Sequence, residues 1–270
     1  MAWRFLATMG FLCWAVGAMA QDVRPLIIAH RGASAVAPEN TAAAYRLAWE
    51  MNSDAAEVDV YLTKDKKVVC LHDSTLKRTT GVDRPIAEMT WDEVRVLDAG
   101  SWKGERWAGE PVPLLEEVLA LTPEGKGFFL EIKHSPGIVP YIAEILAASP
   151  RRKQVTIIGF EFETLVEARA AMPDVPIKWL IGASKNDDGT FQPIDPANVR
   201  KALDAGFEGI NVSWRGVTPE LVEACREAGT ELFVWTVNDP EEARRLVAMG
   251  AAGITTDVPD VMLRELRGAE

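Results

Sequence analysis

The chain has 270 residues, 48% hydrophobic and 26% charged, proportions that allow a buried core and exclude wholesale disorder or a small stapled scaffold. Lys and Arg number 29 against 40 Asp and Glu, a formal charge of −11 that argues against a nucleic-acid partner or a polybasic membrane anchor. The three cysteines, Cys13, Cys70 and Cys225, are too few for a disulfide framework.

At the start of the chain, Arg4 precedes an apolar run over residues 5–16 and the small-residue stretch Ala18-Met19-Ala20. This pattern reads as a secretory signal peptide over residues 1–20, cleaved before Gln21, so the mature protein is expected to be exported, to the periplasm or the medium. The run falls short of the roughly 20 residues that a spanning helix needs, and no stable membrane anchor is expected. Cleavage would remove Cys13 and leave Cys70 and Cys225 on different elements, where pairing is not expected.

Beyond Pro25, short β-type runs alternate with amphipathic segments. The runs cover 26–30, 56–61, 128–133, 155–160, 177–181, 209–213, 231–237 and 253–256. Helical patterns cover 40–51, 114–121, 141–148, 163–172, 197–205, 219–228, 240–249 and 260–266. Eight strands alternating with eight helices predict an α/β fold, a TIM (β/α)8 barrel, as one domain over residues 21–270. A further run, 68–72, follows the second strand after only residues 63–67, too short a link for a parallel crossover, so it is expected to be a β-hairpin arm. A turn centred between Asp65 and Lys66 sets Asp59 opposite His72 or one register away. Residues 73–113 then turn irregular, with Trp91, Trp102 and Trp107 among Gly and charged residues, and read as a small inserted lobe over the barrel mouth.

Chemistry in such a barrel sits at the C-terminal ends of the strands. The first strand ends in His30-Arg31-Gly32, which offers a proton-transfer group, a planar fork suited to phosphate and a residue that lets the backbone turn close to a ligand. In the second, alternation sends Glu57 and Asp59 to one face and Val58 and Val60 to the other. In the third, Glu131 and Lys133 share a face, either as a buried ion pair or as part of a ligand site, while His134 has the opposite parity and reads as a loop residue. Three inward carboxylates with no cysteine nearby describe a site for one hard divalent cation, Ca²⁺ or Mg²⁺. Two of the three histidines, His30 and His72, flank this cluster. Phosphodiester cleavage needs such a pair, one to take a proton from the attacking hydroxyl and one to protonate the leaving alcohol.

These residues stand in order within Ala29-His30-Arg31-Gly32, Pro38-Glu39-Asn40-Thr41, Glu57-Val58-Asp59, Thr63-Lys64-Asp65, Leu71-His72-Asp73, Pro113-Leu114-Leu115-Glu116-Glu117-Val118-Leu119, Glu131-Ile132-Lys133 and Trp235-Thr236-Val237-Asn238. The chain thereby resembles the glycerophosphodiester phosphodiesterase family from about residue 26 to 259. The resemblance implies a barrel of the phospholipase C-like phosphodiesterase type with an inserted segment. It also implies metal-dependent hydrolysis of glycerophosphodiesters to sn-glycerol 3-phosphate and an alcohol. By motif it makes His30 and His72 the acid/base pair, sets Arg31 and Lys133 on the phosphate, and gives Glu57, Asp59 and Glu131 to the metal. Glu39 becomes an accessory residue on the substrate side. Trp235, inward with Phe233, fits either the glycerol side or ordinary core. The family's usual Gly in the hairpin turn is Lys66 here. Two rival readings are a phospholipase-type barrel acting on intact or lyso-phospholipids and a non-catalytic barrel that only binds a phosphodiester.

Overall fold

In a computed structural model that describes residues 24–268, period-2 alternation of apolar residues builds one nine-stranded sheet. The segment expected to be a signal peptide, with Cys13, lies outside the described residues. The order is β1 (Leu26–Ala29), α1 (Ala42–Glu50), β2 (Ala55–Leu62), β3 (Val68–Cys70), α2 (Lys77–Thr80), α3 (Trp91–Val94), α4 (Leu115–Leu121) and β4 (Gly127–Ile132). It continues with α5 (Val139–Ala148), β5 (Val155–Gly159), α6 (Phe162–Ala171), β6 (Ile177–Ile181), α7 (Ala197–Asp204) and β7 (Gly209–Ser213). The last elements are α8 (Pro219–Glu227), β8 (Leu232–Trp235), α9 (Pro240–Met249), β9 (Ala251–Thr256) and α10 (Pro259–Arg267). Every strand except β3 runs parallel to its neighbours, and β1 closes the barrel by pairing β9 on one side (Ile27 with Ile254) and β2 on the other (Ile28 with Ala55). This is the eight-stranded α/β barrel that the sequence predicts. No helix among the described residues is long and apolar enough to cross a membrane.

Alternation divides each strand between two apolar layers. Val58, Val60, Leu130, Ile132 and Ile157 face out against the helices, while Ile28, Ala55, Phe129, Ile158, Leu180 and Phe233 fill the barrel floor. Full burial of one such side chain stabilises the fold by about 2 kcal/mol. Gly253 is required at this level, because a Cβ there would stand 2.3 Å from the Phe233 ring. The inward residues above the floor are polar, and they form the site.

The elements begin and end where caps dictate. Helix α1 starts later than the periodicity suggests, because Asn40 is left-handed (φ 57°) and Thr41 caps the helix, its Oγ1 accepting from Ala44 N at 3.3 Å. Strand β2 pairs β1 at its start and β3 at its end, with Tyr61 opposite Val69 and Leu62 opposite Val68. That pairing centres the turn on Asp65, and Leu71 N donates to Asp59 O at 3.0 Å, so His72 sits one register beyond Asp59. Lys66 in the turn holds φ 68°, a left-handed conformation that favours glycine.

Residues 73–113 carry their own small core of Leu76, Ile86, Met89, Val94 and Val112 against Tyr61, Val69 and Leu71 of the hairpin region. Lys103 Nζ donates to Ser34 O at 2.6 Å and Arg106 Nη2 to Val36 O at 3.1 Å, which fastens the segment to the loop after β1. Cys70 and Cys225 are both free and buried.

Where α10 meets the barrel floor, Arg267 is 7% exposed and Asp54 is 24% exposed, and the guanidinium spans both carboxylate oxygens of Asp54. Asp54 Oδ2 in turn accepts from Ile27 N at 2.7 Å, so the pair ties the last helix to the first strand. Removing one member of a largely buried pair strands the other, and Arg267→Ala is expected to cost about 2 kcal/mol in urea unfolding, with kcat/KM unchanged. An unchanged midpoint would show that α10 is held by its apolar face alone.

Candidate active site

At the C-terminal end of the barrel, β1 stops at Ala29 because the next residues turn away, with Arg31 at φ 55° and Gly32 at φ 80°. A Cβ at Gly32 would meet the Ala44 backbone at 2.7 Å, so only glycine lets this loop lie against α1. The turn presents Arg31 N to Glu57 Oε2 at 2.9 Å and Arg31 Nε to Asp59 Oδ2 at 3.2 Å. From β4, Lys133 Nζ donates to Glu131 Oε1 at 2.6 Å and lies 3.3 Å from Asp59 Oδ1.

Asp59 is fully buried beneath the pocket, and Asn40 Nδ2 donates to its Oδ2 at 2.8 Å. The Tyr45 hydroxyl donates to Asn40 Oδ1 at 2.9 Å and so orients that amide. Ligand oxygens of Glu57, Asp59 and Glu131 lie within 4.8 Å of one another. Burial first, then the charges of Asp59 and Glu131, raises the Glu57 carboxyl well above its ordinary range. Burial and Asp59 push Glu131 up to about 7 despite Lys133, whereas Lys133 and then Arg31 outweigh burial and keep Asp59 low. Glu57 Oε1 is buried without a hydrogen-bond partner, and Asp59 Oδ1, equally buried, has only the Lys133 ammonium at 3.3 Å. Three acids facing two cations, with one orphan oxygen on Glu57, form a donor set short of one positive partner, and an all-oxygen set of this kind fits a hard divalent cation.

His30 and His72 stand on the same pocket, each with a carboxylate on Nδ1. His30 Nδ1 lies 2.7 Å from Asp257 Oδ1, and His72 Nδ1 lies 2.7 Å from Asp73 Oδ1. Burial pushes the Asp257 carboxyl up, but hydrogen bonds from His30, Asn238 and Ser34 hold it far below its usual range. Asp73 is pulled down to about 2, chiefly by Arg78 and then by His72. An ionised carboxylate only accepts, so both Nδ1 atoms carry the hydrogen and both Nε2 atoms are left to exchange protons with a ligand. Burial, with the charges of Arg31 and Lys133, lowers the His72 imidazolium.

The pocket has a volume of about 120 Å³. His30, Arg31, Glu57, His72, Glu131 and Lys133 form its polar side, and Trp235 with Phe160 and Leu180 forms its apolar side. Trp235 Nε1 donates to Asn211 O at 3.2 Å, and its ring meets Phe160 edge-on at 5.5 Å. Trp235 is thus part of the pocket wall as well as of the packing. Glu39 does not line this pocket; it backs Arg31, accepting from Arg31 Nη1 at 2.9 Å. His134 lies outside it, exposed and paired with Glu161. A larger cavity of about 730 Å³, between the hairpin turn, α4 and α5, holds none of these residues.

Asp257, Asn40 and Arg78 are site residues that the strand patterns did not single out. The signal for Asp257 was available, since it directly follows β9, where the strand-end rule that selected His30 applies equally.

A barrel whose strand ends join two carboxylate-backed histidines, three acids that could hold a metal ion and an Arg-Lys pair carries the groups that hydrolysis of a phosphodiester calls for. Residues 30–261 match the glycerophosphoryl diester phosphodiesterase family, and the chain belongs to that family. It is 34% identical to a glycerophosphodiester phosphodiesterase of Caldanaerobacter subterraneus subsp. tengcongensis, over 91% of this chain and 99% of that one. It also superposes on an Oleispira antarctica phosphodiesterase solved with the product sn-glycerol-3-phosphate, with a TM-score of 0.82 and 27% identity over 90% of this chain and 96% of that one. A glycerophosphodiester phosphodiesterase of Agrobacterium tumefaciens gives a TM-score of 0.74 at 26% identity, over 88% of this chain and 98% of that one.

Proposed function

We propose that this phosphodiesterase cleaves glycerophosphodiesters to sn-glycerol 3-phosphate and an alcohol by internal attack, with His30 and His72 moving the protons. The observation that carries this reading is the pair of histidines, each fixed through Nδ1 by its own carboxylate on one small pocket. Glu57, Asp59 and Glu131 would hold one divalent cation, Ca²⁺ or Mg²⁺, which when bound supplies positive charge to the phosphoryl group. Arg31 and Lys133 face the same group, and the Trp235 and Phe160 wall takes the apolar side of the glycerol.

One histidine accepts the proton of the glycerol 2-hydroxyl as that oxygen bonds to phosphorus, and the other donates a proton to the leaving alcohol. Water then opens the cyclic phosphate with the roles exchanged. The substrate brings its own nucleophile, in keeping with a pocket whose lining, among the described residues, includes histidines and acids and no Ser or Cys. An analogue of glycerophosphocholine lacking the 2-hydroxyl is expected to compete with substrate and not to turn over. Its hydrolysis at the parent rate would replace internal attack with direct attack by water.

A further inference from the structure

We infer that Arg78, carried by the inserted lobe, is a positioning residue that fixes both arms of the active site at once, holding Asp73 behind His72 and Glu39 behind Arg31. Its guanidinium forks both ways. Nε donates to Asp73 Oδ2 at 2.7 Å and Nη2 to Asp73 Oδ1 at 3.1 Å. On the other side, Nη1 donates to Glu39 Oε2 and Nη2 to Glu39 Oε1, each at 2.7 Å. Two of the four receiving oxygens are already in use: Asp73 Oδ1 also meets His72 Nδ1, and Glu39 Oε1 also accepts from Arg31 Nη1. A continuous chain therefore runs from His72 through Asp73, Arg78 and Glu39 to Arg31.

Arg78 does not line the pocket, so it acts through the two carboxylates. Its side chain is 40% exposed, and an ordinary ion pair so exposed contributes little to stability. A doubly bidentate fork contributes direction instead, and a lysine, a single point charge, cannot grip two carboxylates in this way. The lobe holds the fork in place. The Trp102 ring lies 5.9 Å from Arg78 Cζ, and Lys103, over the same ring at 5.5 Å, is tied to the loop after β1. The insertion thus reaches His72 through Asp73 and the Glu39–Arg31 arm through the Arg78 guanidinium.

This inference rests on the two-histidine reading, and the test separates the two. Glycerophosphocholine turnover is measured for Arg78→Ala, Arg78→Lys, His72→Ala and, as a control on the same short helix, Lys77→Ala, whose partner is the exposed Asp83. A sub-ångström to ångström misplacement of a reacting group costs on the order of 10²-fold, so kcat is expected to fall by about that factor in both Arg78 variants. Unfolding midpoints should stay at the parent value, and Lys77→Ala should behave as the parent. Added guanidinium ion should raise the rate of Arg78→Ala, and methylammonium should not. Parent-like kcat in Arg78→Lys would overturn the inference, since charge alone would then suffice, and so would equal rescue by the two ions. Should Arg78→Ala fail to fold, Arg78→Lys is compared in the Asp73→Asn background. A loss much smaller than in the parent supports the coupling, and an equal loss overturns it. A parent-like rate in His72→Ala would instead remove the two-histidine reading itself.

Discussion

Exhaustive chelation in cation-free buffer is expected to stop turnover and to lower the unfolding temperature, and readdition of Ca²⁺ or Mg²⁺ should restore both. Glu57, Asp59 and Glu131 converge within 4.8 Å, and Arg31 and Lys133 leave one of the three charges unmatched. Like charges so close in a low-dielectric pocket repel strongly, and a bound +2 ion reverses the sign of the local field. Ligand binding confined to the folded state adds about 2.7 kcal/mol at a concentration 100 times Kd, which for a chain of this length is a shift of several degrees. Activity and midpoint both unchanged after chelation would mean that Arg31 and Lys133 satisfy the acids alone.

Truncating either histidine is expected to lower kcat by on the order of 10² to 10⁴, the usual range for positioned acid/base groups, with a much smaller effect on KM. His30 and His72 each keep Nε2 for the ligand because Asp257 and Asp73 occupy Nδ1. Asp257→Asn and Asp73→Asn should therefore also lower kcat, by less than loss of the ring, because the histidine remains but its tautomer is no longer imposed. Steady-state kinetics of the four variants check this order. Parent-like kcat in His30→Ala or His72→Ala would reduce the mechanism to a single proton-transfer group.

Much of the site was legible in the chain because strand alternation has period two. Once β2 and β4 were placed, the parity of Val58 and Leu130 against the helices forced Glu57, Asp59, Glu131 and Lys133 inward. The hairpin length limited His72 to within one register of Asp59, and the ladder then fixed which. What the sequence withheld are contacts between segments far apart in the chain. Asp257 reaches His30 only because β9 closes against β1, and Asn40 reaches Asp59 only because a left-handed residue ends the loop after β1. Arg78 was hidden most deeply, since it lies on a four-residue helix with no periodicity to mark a face, and its meaning comes from Glu39 on a different loop.

The stereochemical course at phosphorus tests the central claim most directly. A glycerophosphodiester made chiral at phosphorus with oxygen isotopes is turned over, and the configuration of the sn-glycerol 3-phosphate formed is read by phosphorus NMR. Attack by the 2-hydroxyl followed by attack of water is two in-line displacements, each inverting phosphorus, so the account predicts overall retention. Overall inversion would mean one displacement by water and would contradict it.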